Sequence, residues 1–185
     1  QALSSSDPMP AIHIQPDATL KSTPDTVLWG YIAANLPPAL NIKSGQIVQI
    51  DALSHQGLTT NQGPVKFFNS YGIRSEDVLL DAVTVYDQVK RPKGASVHIL
   101  TGPIYVEGAQ PGDVLVVTLH EIEVGDWGWA CVAPGFGFLS DEFPDAWLRT
   151  FRFAKGARSV RFRDGIEIPL RPFAGVMGVG SSIPY

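Results

Sequence analysis

Two histidines and a glutamate carry most of the chemical content of this sequence. His98 precedes the turn Thr101-Gly102-Pro103, a short strand leads to Glu107, and a second turn, Gln110-Pro111-Gly112-Asp113, follows. Folded as a hairpin, this stretch lets His98 and Glu107 converge, with Glu107 as base or ligand and His98 as ligand or acid. Glutamate at a strand end is otherwise often only solvated. His55 stands in Asp51-Ala52-Leu53-Ser54-His55-Gln56-Gly57, where an apolar strand gives way to a loop, a common seat for functional side chains. With His98 it offers two imidazoles to a metal, or a base and its orienting partner. The plainer alternative is a loop histidine bonded to backbone. His120 lies inside a strong strand pattern and reads as structural, and His13 in the polar N-terminal stretch reads as surface.

Other chemistries find little support. Cys131 is the single cysteine, so an internal disulfide or multi-cysteine zinc site is excluded, and its apolar neighbours predict a buried, inert thiol. Glycines alternate with aromatics at 125–129 and 134–138, where Trp127 and Phe136 form either the walls of a small pocket or a packed cluster. Neither a dinucleotide-binding GxGxxG, a GxSxG elbow nor a Ser-x-x-Lys pair occurs. The balance of 14 basic against 18 acidic residues repels phosphate backbones and argues against nucleic acid as a partner. No uninterrupted apolar stretch reaches the ~20 residues that span a bilayer, which argues against a membrane segment.

The elements that must position these groups are mainly β. An apolar fraction of 44% gives a chain of 185 residues material for one domain core, and 18 Gly with 15 Pro favour many short strands over long helices. Residues 1–26 read as an extended arm, and 27–185 as the β domain. Strands are predicted at 27–32, at 39–42 and 46–50 as a hairpin about Lys43-Ser44-Gly45, at 103–107, at 159–163 and at 166–170. The strongest strand pattern is Val114–Ile122, with Leu115, Val117, Leu119 and Glu121 on one face and Val116, Thr118, His120 and Ile122 on the other. A helical insertion is predicted around 64–91. Ser75 with Glu76 and Asp77 suits a helix start, and Val78, Leu79, Ala82, Val85, Tyr86 and Val89 recur at helical spacing before Arg91-Pro92 stops it. A shorter helix is expected over Val65–Ser70, and the insertion could cover a site as a lid. The sequence opens at Gln1 without Met and has no Asn-x-Ser/Thr sequon, so the compartment stays open between cytoplasm and secretion after leader removal.

Thr23-Pro24-Asp25-Thr26-Val27-Leu28-Trp29-Gly30-Tyr31, Leu36-Pro37-Pro38-Ala39-Leu40, Ser54-His55-Gln56-Gly57 and the 97–113 stretch occur in an order that resembles the acetamidase/formamidase family. Asp126-Trp127-Gly128-Trp129, Pro134-Gly135-Phe136-Gly137, Asp141-Glu142-Phe143-Pro144-Asp145, Ile168-Pro169-Leu170-Arg171-Pro172-Phe173 and Gly175-Val176-Met177-Gly178-Val179 continue the likeness. The resemblance implies a sandwich-like β fold and hydrolysis of a small linear amide to a carboxylate and ammonia. It further implies a divalent metal such as zinc and a homo-oligomer. His98 and Glu107 fall in the family's His-x-x-[ST]-Gly-Pro-[VI]-x-Val-Glu-Gly-Ala stretch, and His55 in a Ser-His-x-Gly variant. These matches imply His55 and His98 as metal ligands, Glu107 and His98 as catalytic groups, and Tyr105 and Trp129 as pocket walls. The family's later Asp-x-His and Gln-Gly-Asp-Gly-Glu stretches are not among these 185 residues. The expectation is therefore an active site completed by the missing C-terminal portion or by a second chain carrying the C-terminal half. The rival expectation is a non-catalytic relative serving as an interaction module.

Overall fold

The computed structural model describes residues 14–154 and 156–181. Its class is mainly β, as expected, with the strands paired two by two. β1 (Ala18–Leu20) lies parallel to β4 (Val48–Ile50), β2 (Val27–Trp29) antiparallel to β5 (Ile99–Thr101), and β3 (Leu40–Ile42) parallel to β6 (Ile104–Val106). β7 (Trp127–Val132) with β8 (Trp147–Arg152), and β9 (Ser159–Arg163) with β10 (Ile166–Pro169), are antiparallel pairs.

Two expected hairpins are not hairpins. The turn at Lys43–Gln46 is present, closed by the Gln46 amide donating to the Lys43 carbonyl, 3.2 Å. Its flanking strands, however, leave for different partners, β3 to β6 and β4 to β1. The stretch from His98 to Glu107 likewise divides at the cis Gly102–Pro103 bond, so that β5 joins β2 and β6 joins β3. Ala18–Leu20, within the segment read as an arm, is a strand. At its end Ser22, 1% exposed, donates to the Asp51 carbonyl at 2.9 Å and shares a 2.7 Å hydrogen bond with Thr101. That one hydroxyl ties the β1–β4 pair to the β2–β5 pair, and its full pairing offsets the cost of burying it.

The segment predicted as the strongest strand, 114–122, is the largest departure. No backbone hydrogen bond involves Val114 to Gly125 among the described residues, and the stretch lies open to solvent. Alternating apolar residues confer a preference for the pleat but supply no neighbouring ladder.

The helical insertion is built as α1 (Gly63–Asn69), a 3-10 turn (Ser75–Asp77) and α2 (Leu80–Gln88). Pro64 occupies the first turn of α1, where its missing N–H costs nothing. The single helix predicted from Ser75 is broken at Val78, which is extended, and Leu79, whose ψ of 127° is not helical. The break lets the two ends serve different cores. Val78 packs with Phe67, Phe68 and Ile73 against Trp127, Trp129 and Leu148. Ala82 and Val85 pack with Val27, Trp29, Leu53, Leu58 and Ile99, with Tyr86 and Val89 alongside. Val85 is completely buried, so α2 is a core element rather than a lid. The 3-10 turn is also pinned to the β7–β8 pair. Asp77 accepts from Arg74 at 3.0 Å and from Arg152 at 2.6 Å, and the Trp127 indole donates to the Asp77 carbonyl at 3.0 Å.

Candidate active site

The fold brings His55, His98 and Trp129 together from three separate segments. His98 immediately precedes β5, and β2 fixes the backbone there. The Gly30 amide donates to the His98 carbonyl at 2.7 Å, the Ser96 amide to the Gly30 carbonyl at 2.9 Å, and the Trp29 indole to the Val97 carbonyl at 3.2 Å. Gly30 takes a φ of +89°, and a Cβ there would collide with the Ser96 carbonyl oxygen. Glycine is required for β2 and the 96–98 segment to approach so closely.

His55 follows β4 in a tight turn, with the Leu58 amide donating to the His55 carbonyl at 3.0 Å and the Gln56 amide to the Ser54 hydroxyl at 3.2 Å. Gly57, at φ +81°, lets this turn lie directly on α1, because a Cβ would meet Pro64 Cα at 3.1 Å and Phe68 Cε2 at 3.2 Å. This explains the glycine in Ser54-His55-Gln56-Gly57.

The two imidazoles meet edge to face with centroids 5.6 Å apart and an interplanar angle of 87°. Trp129, on β7, stands edge-on to His55 at 6.4 Å. Neither imidazole makes a hydrogen bond among the described residues, which leaves ring nitrogens available to a ligand. Partial burial pushes the His55 pKa below its ordinary value, and the charges of His98 and Arg91 push the same way. A neutral imidazole is the form that accepts a proton or binds a metal. Arg91 thus bears on the site, although the sequence signalled it only as the residue before a helix-stopping proline.

The other candidates lie elsewhere. Glu107 is exposed just beyond β6, its amide donating to the Ile42 carbonyl at 2.8 Å, and no hydrogen bond or ion pair links it to either histidine among the described residues. Tyr105, 50% exposed, points outward from β6. His120 is exposed in the unpaired 114–125 stretch rather than seated in a strand. Cys131 is exposed, because β7 has no layer over that side to bury it, contrary to the expected buried thiol. Trp127 packs on Phe68 at 4.8 Å, whereas Phe136 is 76% exposed and walls no pocket with it. His13 lies outside the described residues. No group of three or more His, Cys, Asp or Glu side chains suited to a metal ion occurs among the described residues.

Known proteins share this architecture. A Schizosaccharomyces pombe protein assigned by name to the formamidases is 29% identical over 154 residues, which are 80% of this chain and 33% of that one. The formamidase of Methylophilus methylotrophus is 37% identical over 90 residues, 45% of this chain and 21% of its own length. The crystal structure of an acetamidase/formamidase from Thermoanaerobacter tengcongensis superposes with a TM-score of 0.60 at 25% identity, covering 88% of this chain and 45% of that one. An acetamidase structure from Bacillus halodurans, at 21% identity and TM-score 0.55, shares the fold. The chain thus spans a third or less of these curated relatives and under half of these solved ones. The acetamidase/formamidase family model matches residues 69–184, well over half of the sequence and inclusive of His98, Glu107 and Trp129, and on that match the chain belongs to the acetamidase/formamidase family.

Proposed function

We propose that this chain contributes His55 and His98 to a site that hydrolyses a short linear amide to a carboxylate and ammonia. The remaining groups come from the part of the family fold outside these residues, carried on the same polypeptide or on a second one. The observation that carries the reading is the edge-to-face histidine pair, 5.6 Å apart, in a chain of an amidase family. In the reaction, water adds to the amide carbonyl carbon, the C–N bond breaks, and a proton passes to the leaving nitrogen. A neutral His55 can accept the proton released by water, and His98 beside it can hold the second proton position. Trp129, edge-on to His55 at 6.4 Å, is assigned a place in the pocket wall beside the pair.

The donor set also bears on a divalent metal such as zinc. Two imidazoles, one held towards its neutral form, are correct ligands in kind but short of the three protein ligands usual in a catalytic zinc site. His55 and His98 would hold such an ion jointly with a donor from outside these residues, and the ion would polarise the carbonyl and acidify water. Glu107 is assigned an assisting role at the rim, and Tyr105 a place in the pocket wall. A homo-oligomer of the completed unit is part of the same proposal.

The test is ammonia release from formamide and acetamide by these residues together with the part of the family fold outside them. His98→Ala is expected to lower turnover by about 10²–10⁴-fold, the usual loss of a proton-transfer group. Full turnover in that variant removes His98 from the site. The exposed apolar stretch at 114–119 favours a second reading, a non-catalytic interaction module, which predicts partner binding with no ammonia release in any assembly.

A further inference from the structure

We propose that a cleft beside the histidine pair binds a small carboxylate on Arg91, either the acid released by hydrolysis or a carboxylate at the far end of the amide's acyl chain. This rests on the reading above, in which His55 and His98 serve amide hydrolysis. The cleft, about 670 Å³, lies between residues 58–61, the C-terminal end of α2 and residues 91–94. Trp29 and Leu58 are its buried apolar lining, with Tyr86 half-buried beside them. Two exposed cations, Arg91 and Lys93, line it against a single acid, Asp87. No ion pair holds either cation among the described residues. An anion entering here therefore meets two unpaired positive charges, and the guanidinium offers a carboxylate a two-pronged fork.

Arg91 is held ready for that contact. Its Nε donates to the Ala95 carbonyl at 3.1 Å, and the Ala95 amide donates to the Pro92 carbonyl at 3.1 Å, which closes the turn. The two terminal guanidinium nitrogens have no hydrogen-bond partner among the described residues. The lining also leads to both histidines. The Leu58 amide donates to the His55 carbonyl at 3.0 Å, and the Trp29 indole donates at 3.2 Å to the carbonyl of Val97, the neighbour of His98. Partial burial, His98 and Arg91 all lower the His55 pKa, so the guanidinium lies within electrostatic range of the pair. A carboxylate is the anion that amide hydrolysis makes. The volume is that of a small-molecule pocket, well beyond what acetate fills, and it admits an acyl chain of several carbons.

Calorimetric titration of the complete family fold with sodium acetate and with sodium succinate tests the cleft independently of turnover. Arg91→Gln is expected to weaken binding about ten-fold, the loss of a charge-assisted hydrogen bond. Lys93→Gln breaks no hydrogen bond among the described residues and should weaken it about three-fold, as a screened surface charge does. Binding of neither salt, or unchanged affinity in either variant, overturns the carboxylate site even if the protein hydrolyses amides. The ratio of kcat/KM for succinamate to that for butyramide then separates the two sources, because any effect of Arg91 through His55 cancels in it. A ratio that falls about ten-fold in Arg91→Gln sustains the site as a seat for the acyl chain. An unchanged ratio with weakened acetate binding sustains it as a seat for the released acid. Carboxylate binding that depends on Arg91, with no ammonia released from any amide, sustains the site and overturns the proposed function instead.

Discussion

The placement of His98 depends on Gly30, and Gly30→Ala measures how much. Three contributions follow from the structure. A residue with a Cβ at φ +89° is strained by about 1–2 kcal/mol. The new Cβ would also overlap the Ser96 carbonyl oxygen and sit 2.8 Å from both the Ser96 nitrogen and Ala95 Cβ, so the backbone must separate. Separation breaks the 2.7 Å bond to the His98 carbonyl and the 2.9 Å bond from the Ser96 amide, at about 1 kcal/mol each. The sum is roughly 3–4 kcal/mol, a large part of the stability of a small domain. Gly45→Ala is the control, since its φ is +87° but nothing lies within 4 Å of a Cβ there. It should cost only the strain, about 1–2 kcal/mol. Equilibrium urea unfolding followed by tryptophan fluorescence, to which the buried Trp29 contributes, measures both. Equal losses in the two variants would refute the idea that close packing at Gly30 sets the 96–98 backbone.

Other consequences are equally direct. Val85→Ala empties a fully buried site between α2 and the β2–β5 pair and should destabilise by about 2–3 kcal/mol in the same unfolding assay; a loss near zero would make α2 a detachable lid after all. Hydrogen bonds from Arg74 and Arg152 hold the Asp77 carboxyl at about 2, below its ordinary 3.8. Its contribution to stability is therefore present above pH about 4 and is lost as pH falls towards 2, and Arg152→Ala should shrink that acid-limb loss in pH-dependent melting. In the metal-free chain, His98→Ala removes one of the charges that lower the His55 pKa. The NMR titration of His55 should move upward while staying below its ordinary value, because burial persists; no movement, or a fall, contradicts the pairing.

What the sequence revealed followed the range of the interactions involved. The Ser159–Arg163 and Ile166–Pro169 pair and the 82–85–86–89 face of α2 are set by residues close together in the chain, and both were legible. The pairings β1–β4 and β3–β6 are parallel and non-local, and nothing near Lys43-Ser44-Gly45 says that its two strands part. Trp127–Val132 is hidden by its glycine and aromatic content, which reads as pocket or cluster, and nothing in Trp147–Arg152 singles it out as its partner strand. His55 and His98 were each suspected because they stand where strands meet loops. Their convergence depends on the Gly57 turn lying on α1 and on the close approach at Gly30, which only three-dimensional packing reveals. Glu107 was grouped with His98 by proximity in sequence, yet the Gly102–Pro103 division sends it to a different strand pair.

The central claim is that His55 and His98 act as one unit in amide hydrolysis. The kcat for ammonia release by the completed assembly, compared across wild type, His55→Ala, His98→Ala and the double variant, tests it most directly. Members of one catalytic unit are non-additive, so the double variant should be hardly slower than the worse single one, all lying about 10²-fold or more below wild type. Losses that multiply, or single variants with wild-type turnover, would contradict it.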